Sequence, residues 1–219
     1  MYQGRIEACT GQLAPEHRKR STDRGLAGKR AFDIVFASVG LILIAPLALL
    51  LLIINPIANP GPLFFLQDRM GKDGQRFTMW KFRTMRVCTN GLSARPALTA
   101  LETDRITPFA RMLRKFRIDE LPNFINVLGG DMSVIGPRPD AWDHAIFFEK
   151  TVPFYKDRFD IKPGITGLAQ VQGGYAECSD ATKRKARFDR HYIRRQSWKM
   201  ELFIFWRTIV VVTTGFGAK

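Results

Sequence analysis

The chain has 219 residues, 46% hydrophobic and 25% charged, which is enough apolar content for a core and excludes wholesale disorder or a low-complexity fibre. Its 34 Lys and Arg outnumber 20 Asp and Glu, and the formal charge of +14 points to an anionic partner: nucleic acid, an anionic membrane face or phosphorylated small molecules. Cys9, Cys88 and Cys178 lie far apart without a CxxC pair, and only His17, His144 and His191 could supply imidazole, which argues against a disulfide framework or a zinc module.

Residues 1–30 mix Gly, Gln, Thr, Pro and charges without helical or strand period, and read as a flexible basic cytoplasmic tail. From Ile34 to Ile54 no residue is charged, and a helix of that length, rising about 1.5 Å per residue, matches the hydrocarbon thickness of a bilayer. No small-residue cleavage site follows, so residues 31–58 are expected to stay as a membrane-embedded anchor. Both flanks are basic, with a net +3 ahead of the run and +11 after it, and both therefore read as cytoplasmic. Two topologies remain open. One is an ordinary span with a tolerated proline. The other is a re-entrant hairpin bent at Ala45-Pro46, where Pro46 removes a helical hydrogen bond and clashes with the preceding turn.

A soluble domain is expected over residues 59–219, entered through the turn-rich Asn55-Pro56 and Asn59-Pro60-Gly61-Pro62. Leu63–Gln67 and Phe77–Phe82 read as strands of a hairpin turned at Gly71-Lys72-Asp73-Gly74, with Lys81 and Arg83 at its end. A small-residue loop from Cys88 to Thr103 leads to Pro108–Arg117, where Phe109, Met112, Leu113 and Phe116 recur at helical spacing opposite Arg111, Arg114, Lys115 and Arg117. That helix suits a membrane interface and equally suits packing on a core. After Asp119-Glu120-Leu121-Pro122, a short helix through Leu128 is stopped by Gly129-Gly130, and Gly136-Pro137-Arg138-Pro139 must be a rigid non-helical segment presenting Arg138. Helical patterns resume at 141–150, 181–195 and from Trp198 onwards. The charges Lys199, Glu201 and Arg207 make the last an interfacial or core helix rather than a span.

No GxxxxGK[ST], HExxH, GxSxG or GxGxxG string is present, which removes the common NTPase, metalloprotease, hydrolase and dinucleotide readings. The acidic pair Asp119-Glu120 follows four cations and precedes a helix N-terminus, a field that favours two ionised carboxylates. Such a pair could bind Mg²⁺, supply a nucleophile, or simply cap the helix. Lys81, Arg83 and Arg138 are the candidate phosphate-binding cations, against a solvated or lipid-facing alternative.

Three long segments, GPLFFLQDRMGKDGQRFTMWKFRTM at 61–85, DRITPFARMLRKFRIDELPNFINVLGGDMSVIGPRP at 104–139 and IKPGITGLAQVQG at 161–173, together closely resemble the bacterial sugar transferase family, the monotopic polyprenyl-phosphate hexose-1-phosphate transferases. The length is similar to the short exopolysaccharide-production members of galactose-1-phosphate transferase type. The resemblance implies an α+β, mainly helical fold: a re-entrant helix hairpin, interfacial amphipathic helices and a small β-hairpin in a compact cytoplasmic catalytic domain. It implies transfer of a hexose 1-phosphate from UDP-galactose or UDP-glucose to undecaprenyl phosphate with release of UMP, the first step of exopolysaccharide synthesis, at the cytoplasmic face of the bacterial inner membrane.

By the same resemblance Asp119 is the nucleophile and a Mg²⁺ ligand, Glu120 helps hold Mg²⁺ or assists deprotonation of the polyprenyl phosphate, Lys81, Arg83 and Arg138 bind substrate phosphate, and Pro139 keeps Arg138 aimed. Asp189, in RFDRHYI, matches a further acidic position. The implied partners are the UDP-sugar, undecaprenyl phosphate, anionic lipid and downstream glycosyltransferases, with Mg²⁺ as cofactor and no nucleic acid. The family carries Ser-Pro where this chain has Ala45-Pro46, so a serine hydroxyl is absent from the kink. Two rivals stand beside this reading: a membrane-tethered nucleic-acid binder, with Trp80, Phe82 and Tyr192 near basic patches, and a catalytically silent scaffold of polysaccharide assembly.

Overall fold

The structure, a computed structural model, describes residues 28–86, 105–173 and 179–214. The tail up to residue 27 and the loop read from Cys88 to Thr103 lie outside the described residues.

Helix α1 (Lys29–Ala58) has 30 residues and is, among the described residues, the one helix long and apolar enough to cross a membrane. It stays helical through Ala45-Pro46, with no interruption at the expected bend. A proline can bend a helix without taking it out of helical dihedral angles. Asp33, Ala37, Ile44, Leu51 and Asn55 are buried at steps of four and seven and form one stripe, while Ile42, Leu43, Leu49, Leu50, Ile53 and Ile57 are exposed.

Both ends of α1 are tied to the rest of the chain. The Arg30 guanidinium donates to the carbonyls of Val127 (2.6 Å) and Leu128 (3.0 Å), and Asp33 accepts from Ser133 Oγ (3.0 Å) and Val134 N (2.9 Å). At the other end Asn55 Nδ2 donates to Gly61 O and Asn59 Nδ2 to Arg83 O, both at 2.8 Å. Between the ends, a Cβ on Gly40 would come within 2.7 Å of the Phe124 ring, so the close approach of the helix needs glycine there.

Strands β1 (Phe64–Met70) and β2 (Arg76–Phe82) form an antiparallel hairpin with Phe64 opposite Phe82 and Met70 opposite Arg76. Asp73 (φ 54°) and Gly74 (φ 70°) supply the left-handed residues of its turn. The first strand runs three residues beyond the expected Gln67, because pairing with β2 carries Asp68 and Arg69 into the ladder despite their low strand propensity.

Helix α2 (Pro108–Lys115) is capped by Thr107, whose Oγ1 accepts from Ala110 N at 3.2 Å. It buries Ala110 and Leu113 and leaves Met112 and Phe116 exposed. Arg117 then takes a left-handed conformation (φ 58°) and turns the chain into a single 3-10 turn, Ile118–Glu120. Helix α3 (Asn123–Gly129) follows and stops at Gly130 (φ 92°), as the Gly129-Gly130 pair foretold.

Strand β3 (Ser133–Ile135) pairs in parallel with β4 (Gly164–Thr166), a two-stranded sheet that sequence pattern does not reveal, since three residues show no period. Helix α4 (Trp142–Thr151) and a 3-10 segment, Tyr155–Asp160, lie between them. Helices α5 (Leu168–Gly173), α6 (Ser179–Arg194) and α7 (Trp198–Thr214) follow.

The main core joins the α1 stripe to Met79, Phe82, Val127, Ile135, Tyr192 and Ile204, and a second cluster gathers Ala145, Phe148, Tyr155 and Phe159. Helix α7 turns Glu201 and Ile204 inward, where Glu201 accepts from Lys29 and Tyr192. Trp198, Leu202, Trp206 and Ile209 stay exposed as an apolar stripe along its outer side. The described residues are mainly helical with a small β-hairpin, as the sequence implied, and add the β3–β4 pair to it.

Candidate active site

The left-handed Arg117 sets the acidic pair at the junction of α2 and α3, and β2 supplies the cation that faces it. Asn126 of α3 fixes the two elements together by acting as a surrogate strand: its Oδ1 accepts from Trp80 N (3.0 Å) and its Nδ2 donates to Thr78 O (2.7 Å). This bracket lies next to Lys81, whose Nζ is 3.8 Å from Glu120 Oε1.

Glu120 is buried and held by three cations. Arg138 grips it with two guanidinium nitrogens, one at 2.7 Å, and Arg117 lies 3.7 Å away. Burial pushes the Glu120 carboxyl up, but Arg138 and Lys81 outweigh it and hold the group far below the usual carboxylate range. The Asp119 carboxyl goes the other way. Burial and the neighbouring Glu120 charge raise it, against the pull of Lys81, Arg138 and Arg114. The adjacent acids are thus driven apart: one is a fixed anion and the other carries Oδ1, a buried acceptor without a hydrogen-bond partner.

Lys81 is lowered by burial to about 7, with Glu120 opposing the shift. A further cation that sequence reasoning missed, Arg69, is lowered by burial to about 10 and reinforced in this by Arg138. The signal for Arg69 lay in strand parity: residues 65, 67 and 69 pair with 81, 79 and 77, so Arg69 shares a hairpin face with Lys81.

The prolines around Arg138 fix its backbone only because another segment docks against it. Gly136 N donates to Thr166 O (2.8 Å), Gly164 N to Pro137 O (2.9 Å), and Ser133 N to Pro163 O (2.8 Å), so the GPRP and KPGITG strings are two sides of one backbone junction. Arg69 Nη1 donates to Pro139 O at 3.0 Å, which makes Pro139 a backbone contact of that junction.

Behind the loop, the buried Arg158 donates to the Arg138 carbonyl, to Asp140 and to Asp189 (2.8 Å), while Lys185 Nζ reaches Asp140 at 2.7 Å. Tyr155 also donates to Asp140. Asp189, one of the expected acidic candidates, therefore does not join Asp119 and Glu120. It anchors the arginine that supports Arg138. Asp140, Tyr155, Arg158 and Lys185 gave no signal in sequence because their partners lie 15 to 45 positions apart.

Arg83 is also elsewhere. Its guanidinium donates to Pro62 O (2.6 Å), Met85 O (3.0 Å), Asn59 Oδ1 (3.3 Å) and Asn59 O, tying the end of α1 to the end of the hairpin. The expectation that Arg83 shares the phosphate site is corrected on this ground: burial and carbonyl acceptors hold it in a structural tie. Arg83→Ala would leave those buried carbonyls unpaired, at about 1–3 kcal/mol each for the ones that water cannot reach. The expected result is a lower melting temperature in detergent.

Among the described residues no group of three or more His, Cys, Asp and Glu could enclose a metal ion. Mg²⁺ is commonly held by one or two carboxylates together with substrate phosphates, and the orphaned Asp119 Oδ1 fits that role. Glu120 fits it less well, since both its oxygens are already engaged by Arg138.

The profile of the bacterial sugar transferase family matches residues 24–215. This chain belongs to that family. Similar to this bacterial sugar transferase are the UDP-N-acetylgalactosamine-undecaprenyl-phosphate N-acetylgalactosaminephosphotransferase of Aeromonas hydrophila, 42% identical over 87% of this chain and 45% of that protein, and the UDP-glucose:undecaprenyl-phosphate glucose-1-phosphate transferase of Escherichia coli (strain K12), 39% identical over 83% of this chain and 39% of that protein. The chain thus spans less than half the length of these two relatives. The exopolysaccharide production protein ExoY of Sinorhizobium fredii (strain NBRC 101917 / NGR234) is 33% identical over 96% of both chains.

Proposed function

We propose that this sugar transferase moves a sugar 1-phosphate from a UDP-sugar, UDP-galactose or UDP-glucose, to undecaprenyl phosphate, as the opening step of an exopolysaccharide. The observation that carries the reading is the unpartnered Asp119 Oδ1, set beside a Glu120 that Arg138 holds as a fixed anion and within the field of Lys81. In the first half-reaction the Asp119 carboxylate attacks the β-phosphorus, the bond from that phosphorus to the bridging oxygen breaks, and UMP leaves with the electron pair. In the second, an oxygen of undecaprenyl phosphate attacks the same phosphorus and the aspartyl oxygen departs, restoring Asp119 and giving the diphosphate-linked sugar.

Arg138 and Lys81 offset charge on the diphosphate, and Arg138 needs no reorganisation because two prolines and Arg158 already hold its backbone. Mg²⁺ at Asp119 would neutralise further diphosphate charge. Glu120 acts as the anchor that positions Arg138.

Residues 31–58 would insert as a re-entrant element into the cytoplasmic leaflet of the inner membrane, with residues 59–219 as the catalytic domain below it. Support comes from the ties at both ends of α1, from its single buried stripe, and from the exposed Pro46, which lies nearly opposite Ile44 of that stripe. A ring clash on the outer side bends a helix away from the proline, here toward the domain. The exposed apolar residues of α2 and α7 would meet the lipid interface.

The test is to incubate the full chain, in membranes or detergent, with a panel of UDP-sugars and Mg²⁺, and to measure UMP release with and without undecaprenyl phosphate. Lipid-dependent release with one donor is the expected outcome. Absence of release with every donor from folded protein sinks the proposal.

A further inference from the structure

Arg69 does not share the fate of Arg83. Every nitrogen of the Arg83 guanidinium meets an acceptor. Arg69 Nη1 donates to Pro139 O (3.0 Å) and Nη2 to Gln67 Oε1 (2.5 Å), but its Nε is a buried donor with no partner. A buried N–H left unpaired costs free energy that an incoming acceptor recovers. The contact with Gln67 has a second consequence. An arginine can only donate, so the carboxamide must turn its oxygen to Arg69 and its amide nitrogen away. Gln67 is half-buried, and its Nε2 donates to no group among the described residues.

The hairpin register brings both side chains to the phosphate cations. Gln67 and Arg69 lie opposite Met79 and Phe77, on the face that carries Lys81. Gln67 is the diagonal neighbour of Lys81 across the ladder, a relation that sets Cα atoms roughly 7–8 Å apart. Arg69 is fastened to the residue that follows Arg138. The cations that act on the Asp119 carboxyl are Lys81, Arg138 and Arg114, whereas Arg69 acts on Lys81 and is acted on by Arg138. The pair therefore adjoins the grip on the reacting phosphorus.

We propose that Gln67 and Arg69 form the subsite for the phosphate that leaves with UMP, with Gln67 Nε2 and Arg69 Nε donating to its oxygens. In phosphoryl transfer the attacking and leaving oxygens stand roughly in line, so with Asp119 on one side of the β-phosphorus the α-phosphate lies on the other. Arg138 and Lys81 serve the phosphate under attack, and the adjoining pair meets the next one. Charge grows on the leaving oxygen as its bond to phosphorus breaks, and fixed donors there favour the transition state over the ground state. This subsite rests on the UDP-sugar reading above and adds to it the residues that hold the leaving group.

The test measures dissociation constants for UMP and for uridine by ligand-observed NMR, with the full chain in detergent and Mg²⁺. Gln67→Met keeps the shape of the side chain and removes the amide. It should weaken UMP about tenfold or more, the scale of one hydrogen bond to a charged oxygen, and leave uridine unchanged. Arg69→Lys, which keeps the charge and removes the Nε donor, should show the same pattern. Gln67→Glu separates a phosphate contact from a structural tie. It retains the oxygen that Arg69 holds and adds a negative charge to it, so a mere tie between β1 and the Arg138 loop would be kept and UMP binding undiminished. The expected result is a loss of UMP affinity larger than in Gln67→Met, at a melting temperature no lower than the parent's.

Parental UMP affinity in both Gln67 variants, or UMP and uridine weakened in equal ratio, would overturn the subsite. Failure of the wild-type chain to bind UMP at all would overturn the UDP-sugar reading, and the subsite with it.

Discussion

Asp119→Asn is expected to remove lipid-dependent UMP release by on the order of 10⁴-fold or more, the scale on which loss of a covalent nucleophile acts. The change is nearly isosteric, and the carboxylate oxygen it alters has no hydrogen-bond partner to lose, so folding and membrane attachment should survive. A sharper measurement separates a nucleophile from a metal ligand. With a covalent intermediate, labelled UMP exchanges into the UDP-sugar in the absence of undecaprenyl phosphate, and Asp119→Asn should abolish that exchange. A mere metal ligand would leave exchange measurable at raised Mg²⁺. Exchange by the variant at the wild-type rate would refute the nucleophile.

Gly164→Ala should have the largest effect on stability. A Cβ there would stand 2.0 Å from Gly136 N, 2.6 Å from its Cα and 2.7 Å from its carbonyl oxygen, all backbone atoms that cannot swing aside. Relief requires separating β3 from β4, and the expected loss is at least about 3 kcal/mol, the upper part of the usual range for overpacking. Thermal melting in detergent should show either a large drop or no folded protein. Gly129→Ala is the matched control. Its added Cβ would meet only Asp131 Oδ2 at 3.8 Å, within a helix, so that variant should melt within a few degrees of the parent or above it. If the two variants melt alike, the junction is not as tightly closed as the geometry requires.

These two predictions rest on features that differ in how far sequence discloses them. Periodicity and punctuation were enough for α1, the β1–β2 hairpin, α2 and α3, since each is bounded by proline or glycine and carries its own apolar pattern. Lys81, Glu120 and Arg138 converge as their strings suggested. Arg83 and Arg69 show why the rest was hidden. Both are arginines of one hairpin, and only the register and the position of Asn59 decide that one faces the acidic pair while the other closes a loop. The fate of Asp189 was equally invisible, because Arg158, its partner, lies 31 positions away. The raised Asp119 carboxyl likewise departs from two ionised acids in a cationic field, since burial of the pair is a tertiary property.

The parallel pairing of Ser133 with Gly164 bears on how the site comes into being during synthesis. A parallel pair cannot close through a tight turn, and here the connection must first place α4 and the Tyr155–Asp160 segment. As the chain leaves the ribosome, Asp119, Glu120 and Lys81 emerge well before the strand that holds the Arg138 loop in shape. Until residue 166 is out, the Arg138 backbone lacks its partner, and Glu120 lacks a preorganised counter-ion. Contacts of such sequence separation form late in folding, after local helices and hairpins. On the proposed attachment, α1, some hundred residues earlier, can therefore reach lipid while the Arg138 grip on Glu120 is still unformed, so that a chain stalled before β4 would be membrane-bound and inert.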